Sequence, residues 1–313
     1  MKNFIKKNGI LLSWLVVFYM TAVAAVSGGK SDGVKENFYK TILMDCGYKI
    51  SYEVVIASSG AAGAIEFFSA ESARQKNKLH IAVINDASEF EAGVDFDGNL
   101  KILSESASSA SGAVLAINGG YFAIIKNKIY SVGKVCKNHE IYPDYISHDA
   151  YPYFCVSEAG VVDILKASEF KNKKIKNKNK SGVKDYMQTK PMLVYNGAIP
   201  ASLKASRAAN ESKNPRTAVA LTADKKIICV VVEGRQEFIE GMSQVGLAEL
   251  LIKMKAVKAL NLDGGGSSSV VVNGCLMNRP SGGFSPFVLP GRQRPLHSTI
   301  YFKTKTKTKQ NQY

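Results

Sequence analysis

The sequence has no C-x-x-C pair, no H-x-x-x-H spacing and no repeating strand–helix alternation, and each absence removes a class of function. Its five cysteines, Cys46, Cys136, Cys155, Cys229 and Cys275, do not stand at zinc-ribbon or dithiol-redox spacings. Cys229 lies inside IICVVV and reads as a core residue, and the odd count leaves at least one thiol over if others pair. The four histidines, His80, His139, His148 and His297, are scattered, so a histidine-built metal site is not expected. Ser267, Ser268 and Ser269 do not form the G-x-S-x-G elbow of serine hydrolases. The same GGGSSS stretch lacks the G-K-[ST] end of a phosphate-binding loop, which argues against nucleotide hydrolysis.

What is present is a globular composition: 313 residues, 46% hydrophobic and 21% charged, enough for one large domain. Lys2, Lys6 and Lys7 precede an uncharged apolar run at residues 10–26 and the small residues Ala22, Ala24 and Ala25. Residues 1–29 therefore read as an export signal or an N-terminal membrane anchor. No cysteine follows the run directly, so a lipoprotein anchor is unsupported.

Net charge is +15, but it is concentrated. The N-terminal lysines give +3, residues 166–184 give +7, and Lys303, Lys305, Lys307 and Lys309 give +4, leaving about +1 elsewhere. A basic fold surface built for nucleic acid is therefore not indicated. Within this lysine-rich loop, 166–184, the run 171–182 has no apolar periodicity and reads as solvated, with contact to an anionic polymer or membrane surface as the sharper alternative. Residues 303–313 read as a disordered basic tail.

Between these segments the chain alternates short β-like runs with turns, at 48–57, 79–85, 113–118, 152–157, 191–197, 217–222, 226–234, 259–263 and 268–274. Residues 57–75, rich in glycine and alanine, read as a loop leading into a helix. The clearest helix is 243–257, where Ser243 can cap and Leu247, Leu250, Leu251 and Met254 form one stripe. The expected fold is α+β: a mixed, largely antiparallel sheet with few packed helices, forming a single domain over 30–302.

Chemistry-bearing residues cluster at the ends of these runs, beside glycines: Asn118 in AINGGYF, Arg216 in NPRTAVAL, Glu233 and Arg235 in VVVEGR, and Asp263 in NLDGGGSSSVVVNG. Two carboxylates, two guanidiniums and an amide suit hydrolysis at a sugar carrying an anionic group. Arginine grips phosphate in a bidentate fork, and two carboxylates can divide acid and base or nucleophile roles. Each also has a plainer reading. Asp263 can cap a glycine turn, Glu233 can be a turn residue, Arg216 a surface residue, Arg235 an ion-pair partner, and Asn118 can supply left-handed geometry before its glycines.

In order and spacing, NGGYF, PMLVYNG, PRTAVAL, VVVEGR, GMSQVGLAELL, LNLDGGGSSSVVVNG, NRPSG and GRQRP resemble the phosphodiester glycosidase family over residues 80–302. The resemblance implies a hydrolase of α-glycosyl-1-phosphodiesters, such as N-acetylglucosamine-1-phosphodiester, acting on an envelope or extracellular glycopolymer. It implies Glu233 and Asp263 as catalytic residues, with Asn118, Gly119, Arg216, Arg235, Gly264, Gly265 and Arg294 binding substrate. No metal or cofactor is implied, although Asp263 with backbone carbonyls offers a place for a calcium or magnesium ion. Gln293 stands where the family usually carries the glutamate of a Glu-Arg-Pro triplet. The alternative from another class is a non-catalytic glycopolymer-binding envelope protein.

Overall fold

Strands dominate because most of the apolar runs alternate or are short, and turns rich in glycine, asparagine and lysine separate them. In the computed structural model the described residues are 37–56, 65–96, 98–110, 112–176, 182–282 and 291–305. The N-terminal segment 1–29, the end of the basic tail and part of the lysine run lie outside them. The chain from Tyr39 onward forms one unit.

The first part runs α1 (Phe38–Asp45), β1 (Lys49–Ile56), β2 (Ile65–Ser72), β3 (Asn77–Ile84), β4 (Phe90–Asp95), α2 (Leu103–Ser109) and β5 (Ala113–Asn118). Then come β6 (Phe122–Ile125), β7 (Lys128–Val132), β8 (Val135–Lys137), β9 (Glu140–Ile141), β10 (Tyr145–Ile146), β11 (Tyr153–Ser157), β12 (Val162–Leu165), α3 (Ala167–Lys176), β13 (Val183–Gln188) and β14 (Met192–Tyr195). The last part holds α4 (Ala201–Lys204), α5 (Arg207–Glu211), β15 (Arg216–Thr222), β16 (Ile227–Glu233), α6 (Gln244–Lys253), β17 (Ala256–Asn261), β18 (Val270–Val272), β19 (Cys275–Leu276) and β20 (Thr299–Thr304).

A seven-stranded sheet has the order β1-β2-β3-β16-β15-β17-β14, and a five-stranded sheet the order β19-β18-β5-β20-β4. Two smaller sheets, β12-β11-β13-β8-β9 and β10-β7-β6, complete the fold. Among the described residues only β10 and β7 pair in parallel, so the α+β, largely antiparallel expectation holds.

The centre of the seven-stranded sheet is buried on both faces, which is why β15 and β16 are continuous apolar runs. Successive side chains point to opposite faces. Val219, Cys229, Val231 and Leu260 join a core with Ile117, Ile300 and Phe302 of the five-stranded sheet. Ala218, Val230, Val232 and Ala259 face the stripe Leu247, Leu250, Leu251 and Met254 of α6. Ser243 caps α6 by accepting from the Gly246 N–H at 3.0 Å. The helix stops earlier than expected, because Lys255 takes a left-handed φ of 67° and residues 256–257 are drawn into β17.

Three expectations are corrected. Residues 65–72, read as part of a loop leading to a helix, form β2, an inner strand of the large sheet. The lysine run contains α3 in place of a continuous loop. Phe170 anchors this helix by stacking on Tyr153 at 3.9 Å, and Glu169 accepts from the Lys166 N–H and the Tyr195 hydroxyl, both at 2.7 Å. The start of the basic tail is ordered: Lys303 and Thr304 belong to β20, and Lys305 donates to the Ser88 carbonyl at 2.7 Å. Among the described residues no helix is long and apolar enough to cross a membrane.

Phe302 is fully buried between the two large sheets, whereas Phe238 is 81% exposed. Phe302→Ala should cost about 3–5 kcal/mol and Phe238→Ala less than about 0.5 kcal/mol. Urea melts check this as a lower midpoint for the first variant only, with unchanged slope for both.

Candidate active site

Antiparallel pairing brings the sequence-predicted residues to one end of the seven-stranded sheet. Arg216, at the start of β15, lies beside Val232 near the end of β16, and Asn261, at the end of β17, pairs with Ala218. Glu233 and Asp263 therefore leave the sheet on the same side. The five-stranded sheet arrives there too, since Asn118 at the end of β5 pairs with Thr299 at the start of β20.

The two sheets are stitched at that point. The Gly119 N–H donates to the Ser298 carbonyl at 2.8 Å, and the Gly119 carbonyl accepts from the Asp263 N–H at 3.0 Å. A Cβ on Gly119 would stand 2.5 Å from Ser298 Oγ, so the close approach excludes any side chain. Asn118 is fully buried. Its Nδ2 donates to the Asp263 carbonyl at 2.7 Å, and its Oδ1 accepts from Thr217 Oγ1 at 2.7 Å and the Ser269 N–H at 3.1 Å. Asn118 and Gly119 thus build the floor beneath the site, and neither offers a surface to a substrate, contrary to the binding role expected for them.

The glycine triplet has a similar explanation. A Cβ on Gly264 would meet the Pro215 carbonyl oxygen at 2.8 Å, and that oxygen accepts from the Gly265 N–H at 3.0 Å. Gly265 has a left-handed φ of 61°, and a Cβ there would stand 2.8 Å from Arg235 Nη1. The turn is stripped of side chains so that the guanidinium can lie on it. Arg235 itself holds a left-handed φ of 56° and donates from Nε and Nη2 to Asn214 Oδ1 at 3.1 and 2.7 Å. A strained non-glycine backbone fixed this way positions its side chain.

Asp263 is partly buried at the mouth of this turn. Burial pushes its carboxyl above the usual aspartate value, and the Ser267 hydroxyl, Arg294, the Gly264 N–H and Arg235 oppose that shift. The Gly264 N–H donates to Oδ1 at 2.9 Å. Arg294 donates to Ser267 Oγ at 3.5 Å and lies over the Phe122 ring at 5.1 Å. Tyr121, which the motif reading did not single out, accepts from Asn261 Nδ2 at 2.8 Å. Burial, reinforced by the charge of Asp263, pushes its phenol up to about 12. Arg216 donates to the Met242 and Ser212 carbonyls at 3.1 and 2.7 Å. Burial and then the Arg235 charge lower its pKa, with Tyr121 opposing.

Glu233 is placed differently from its expected role. It is 4% exposed, and its oxygens are engaged inside the protein. Oε1 lies 2.7 Å from His80 Nε2 and accepts from the Arg279 N–H at 2.8 Å, while Oε2 accepts from Gln236 Nε2 at 3.2 Å. His80 Nδ1 is 2.9 Å from Ser69 Oγ, extending the chain into β2. Burial pushes the Glu233 carboxyl up, but the His80 bond, the Arg279 N–H and the charges of His80 and Lys78 together hold it below the usual glutamate range. Glu233 is thus a buried anchor for the loop at Arg279. The one sign of this in the sequence was a histidine inside the apolar run LHIAVIN, which needs a buried partner.

Gln293 faces α2, where Oε1 accepts from the Ser104 N–H at 3.1 Å and Nε2 donates to Ser104 Oγ at 2.9 Å. No group of three or more histidine, cysteine, aspartate or glutamate side chains is placed to hold a metal among the described residues. At Asp263 the nearby arginines favour an anion over a calcium or magnesium ion. A cleft of about 400 Å³ lined by Val161, Leu221, Ile227 and Val257 lies at the opposite end of the large sheet, away from these residues.

The two carboxylates have opposite pH signatures. The depressed pKa of Glu233 contributes stability that is present above its ordinary value of 4.5 and lost as pH falls through the folded value. His80→Leu leaves that carboxylate buried without its main partner, at a cost of about 3–5 kcal/mol at pH 7. The deficit should shrink on acidification, as Glu233 protonates, and the double variant His80→Leu with Glu233→Leu should recover most of it. Urea melts of both variants at pH 7 and pH 4 check this.

With this geometry in view, the comparisons with known proteins are specific. The sequence pattern described as phosphodiester glycosidase matches residues 111–303. The N-acetylglucosamine-1-phosphodiester alpha-N-acetylglucosaminidase of Bos taurus is 41% identical over 66 residues, a match spanning 21% of this chain and 12% of the bovine protein. The fold resembles the catalytic domain of the zebrafish N-acetylglucosamine-1-phosphodiester alpha-N-acetylglucosaminidase, auto-inhibited by its pro-peptide. That similarity has a TM-score of 0.61 at 18% identity and covers 88% of this chain and 96% of the other. A hypothetical protein from Synechocystis shares the fold at a TM-score of 0.54 and 15% identity, over 83% of this chain and 68% of that one. A match across well over half of the sequence, ending within the strand that backs the site, shows that the chain belongs to the phosphodiester glycosidase family.

Proposed function

We propose that this protein hydrolyses the bond between C1 of an α-linked sugar and the phosphate of a glycosyl 1-phosphodiester, with N-acetylglucosamine as the sugar. Its setting is exported, where such linkages join envelope or extracellular glycopolymers. The observation that carries the reading is the Asp263 carboxyl, raised in pKa by burial and flanked by Arg235 and Arg294. The relatives named for the same bond support it.

The chemistry follows from the leaving group. Cleavage at C1 releases a phosphate monoester, which needs its growing negative charge neutralised more than it needs a proton. Arginines in a partly dehydrated site do this well, because their charge is fixed and their geometry matches phosphate oxygens. Arg235 and Arg294 hold the phosphate, and Arg216 adds positive potential beneath them. Asp263 then serves the anomeric side as the carboxylate, and its raised pKa makes it a stronger base once ionised. Tyr121 keeps its proton at neutral pH and can donate a hydrogen bond to a sugar or phosphate oxygen. No metal takes part in this scheme.

The enclosed Glu233 is the observation that favours the second reading, a non-catalytic glycopolymer-binding protein, because its oxygens are engaged inside the protein and only Asp263 of the two expected carboxylates is partly exposed. Release of N-acetylglucosamine from a GlcNAc-α-1-phosphodiester separates the two. The full chain should turn it over, unaffected by EDTA, and Asp263→Asn should slow it roughly 10²–10⁴-fold with little change in KM. The acid limb of the rate profile should lie above the ordinary aspartate value of 3.8. A raised folded pKa means the ionised carboxylate opposes folding above that value, so Asp263→Asn should also raise Tm at neutral pH. Binding without turnover in the wild type would establish the second reading.

A further inference from the structure

The two lysine-rich stretches, far apart in sequence, meet at one carboxylate. Glu91 on β4 pairs with Lys184 of β13 at 3.4 Å through one oxygen and with Lys303 of β20 at 3.0 Å through the other. Lys305 follows, tied to the Ser88 carbonyl. These groups line a groove of about 780 Å³ with Ser157 and Glu158. Glu91 is shared between Lys184 and Lys303, and with Lys305 the three lysines outnumber Glu91 and Glu158, so the described lining keeps an excess of one positive charge.

The lining selects among anionic partners. Among the described residues it contains no aromatic side chain, so these offer no stacking platform for bases. Among the described residues its apolar side chains are alanines, and it is concave, which suits neither insertion into a bilayer nor contact with its flat surface. A linear chain of phosphates recognised by charge fits. The groove also lies along the strand that backs the active site: Ser298, bonded to Gly119, precedes Lys303 by five residues, or about 17 Å at the strand rise.

We infer that this groove is a second binding site for a linear polyanion, the phosphodiester glycopolymer whose linkage is cut at Asp263. The assignment of that polymer as substrate rests on the proposed activity, while the binding does not. A chain of several repeating units reaches both places, and a monomeric diester reaches only one.

The test uses the full chain, a soluble poly(glycerol phosphate) as probe, and the variant Lys184→Gln/Lys303→Gln/Lys305→Gln, with calorimetric titrations at 50 and 300 mM salt. Wild type should bind, more weakly at the higher salt. The variant should bind at least tenfold more weakly while keeping its Tm and its rate on the monomeric diester. Polymer binding by the variant equal to wild type would overturn the inference, as would tighter wild-type binding to phosphatidylglycerol vesicles than to the soluble chain. Binding is read without turnover, so a wild type that binds but does not cleave supports the groove and counts only against the activity.

Discussion

The carboxamide of Asn118 is the joint on which the site depends. It is fully buried, and leaving such a group unpaired costs about 1–3 kcal/mol. It is satisfied from three directions: Thr217 on β15, Ser269 ahead of β18 and the carbonyl of Asp263. These partners belong to both large sheets and to the glycine turn between them. The bonds therefore fix the sheets' relative height and, with it, where the Asp263 carboxyl emerges. A fully buried amide can in this way set the position of a carboxylate that it does not itself resemble in exposure.

Environment then divides two carboxylates that look alike in sequence. Glu233 ends a buried strand, Asp263 lies two residues past one, and both precede glycine. Glu233 turns inward to His80 and the Arg279 N–H and is held ionised despite burial. Asp263 turns outward, and its burial is only partly offset by hydrogen bonds and arginines, so its pKa rises. The stable pairing inside frees the fold to tolerate the costly, partly buried Asp263.

Much of the fold was legible where periodicity spoke. The continuous runs of β15 and β16, the stripe of α6 and its Ser243 cap follow from sequence alone. β2 was missed because IEFFSAES is buried on both faces and shows no period of two, while the glycine- and alanine-rich stretch before it reads as a loop leading onward to a helix. α3 was missed because its lysines hide a single anchoring residue, Phe170, whose partner Tyr153 lies in another strand. In the site, residue types and turns were readable, but direction was not. Nothing local to Glu233 reveals that it pairs with His80 across 153 positions, and nothing local to Asn118 shows that it points beneath Asp263 and not toward it. Such facts are set by strand order, which a motif does not carry.

The departure at Gln293 yields to the same reasoning. A glutamate in its place would accept the Ser104 N–H just as the amide oxygen does, and it would accept the Ser104 hydroxyl where the amide now donates to it. The direction of one hydrogen bond changes, because serine serves as donor or acceptor, and a glutamate would add one negative charge beside Arg294. The side chain faces α2, and its next neighbour Arg294 still reaches Ser267 and Phe122 beside Asp263. The position works as a brace that presents the arginine, and the neutral amide fills it without setting a negative charge beside the guanidinium.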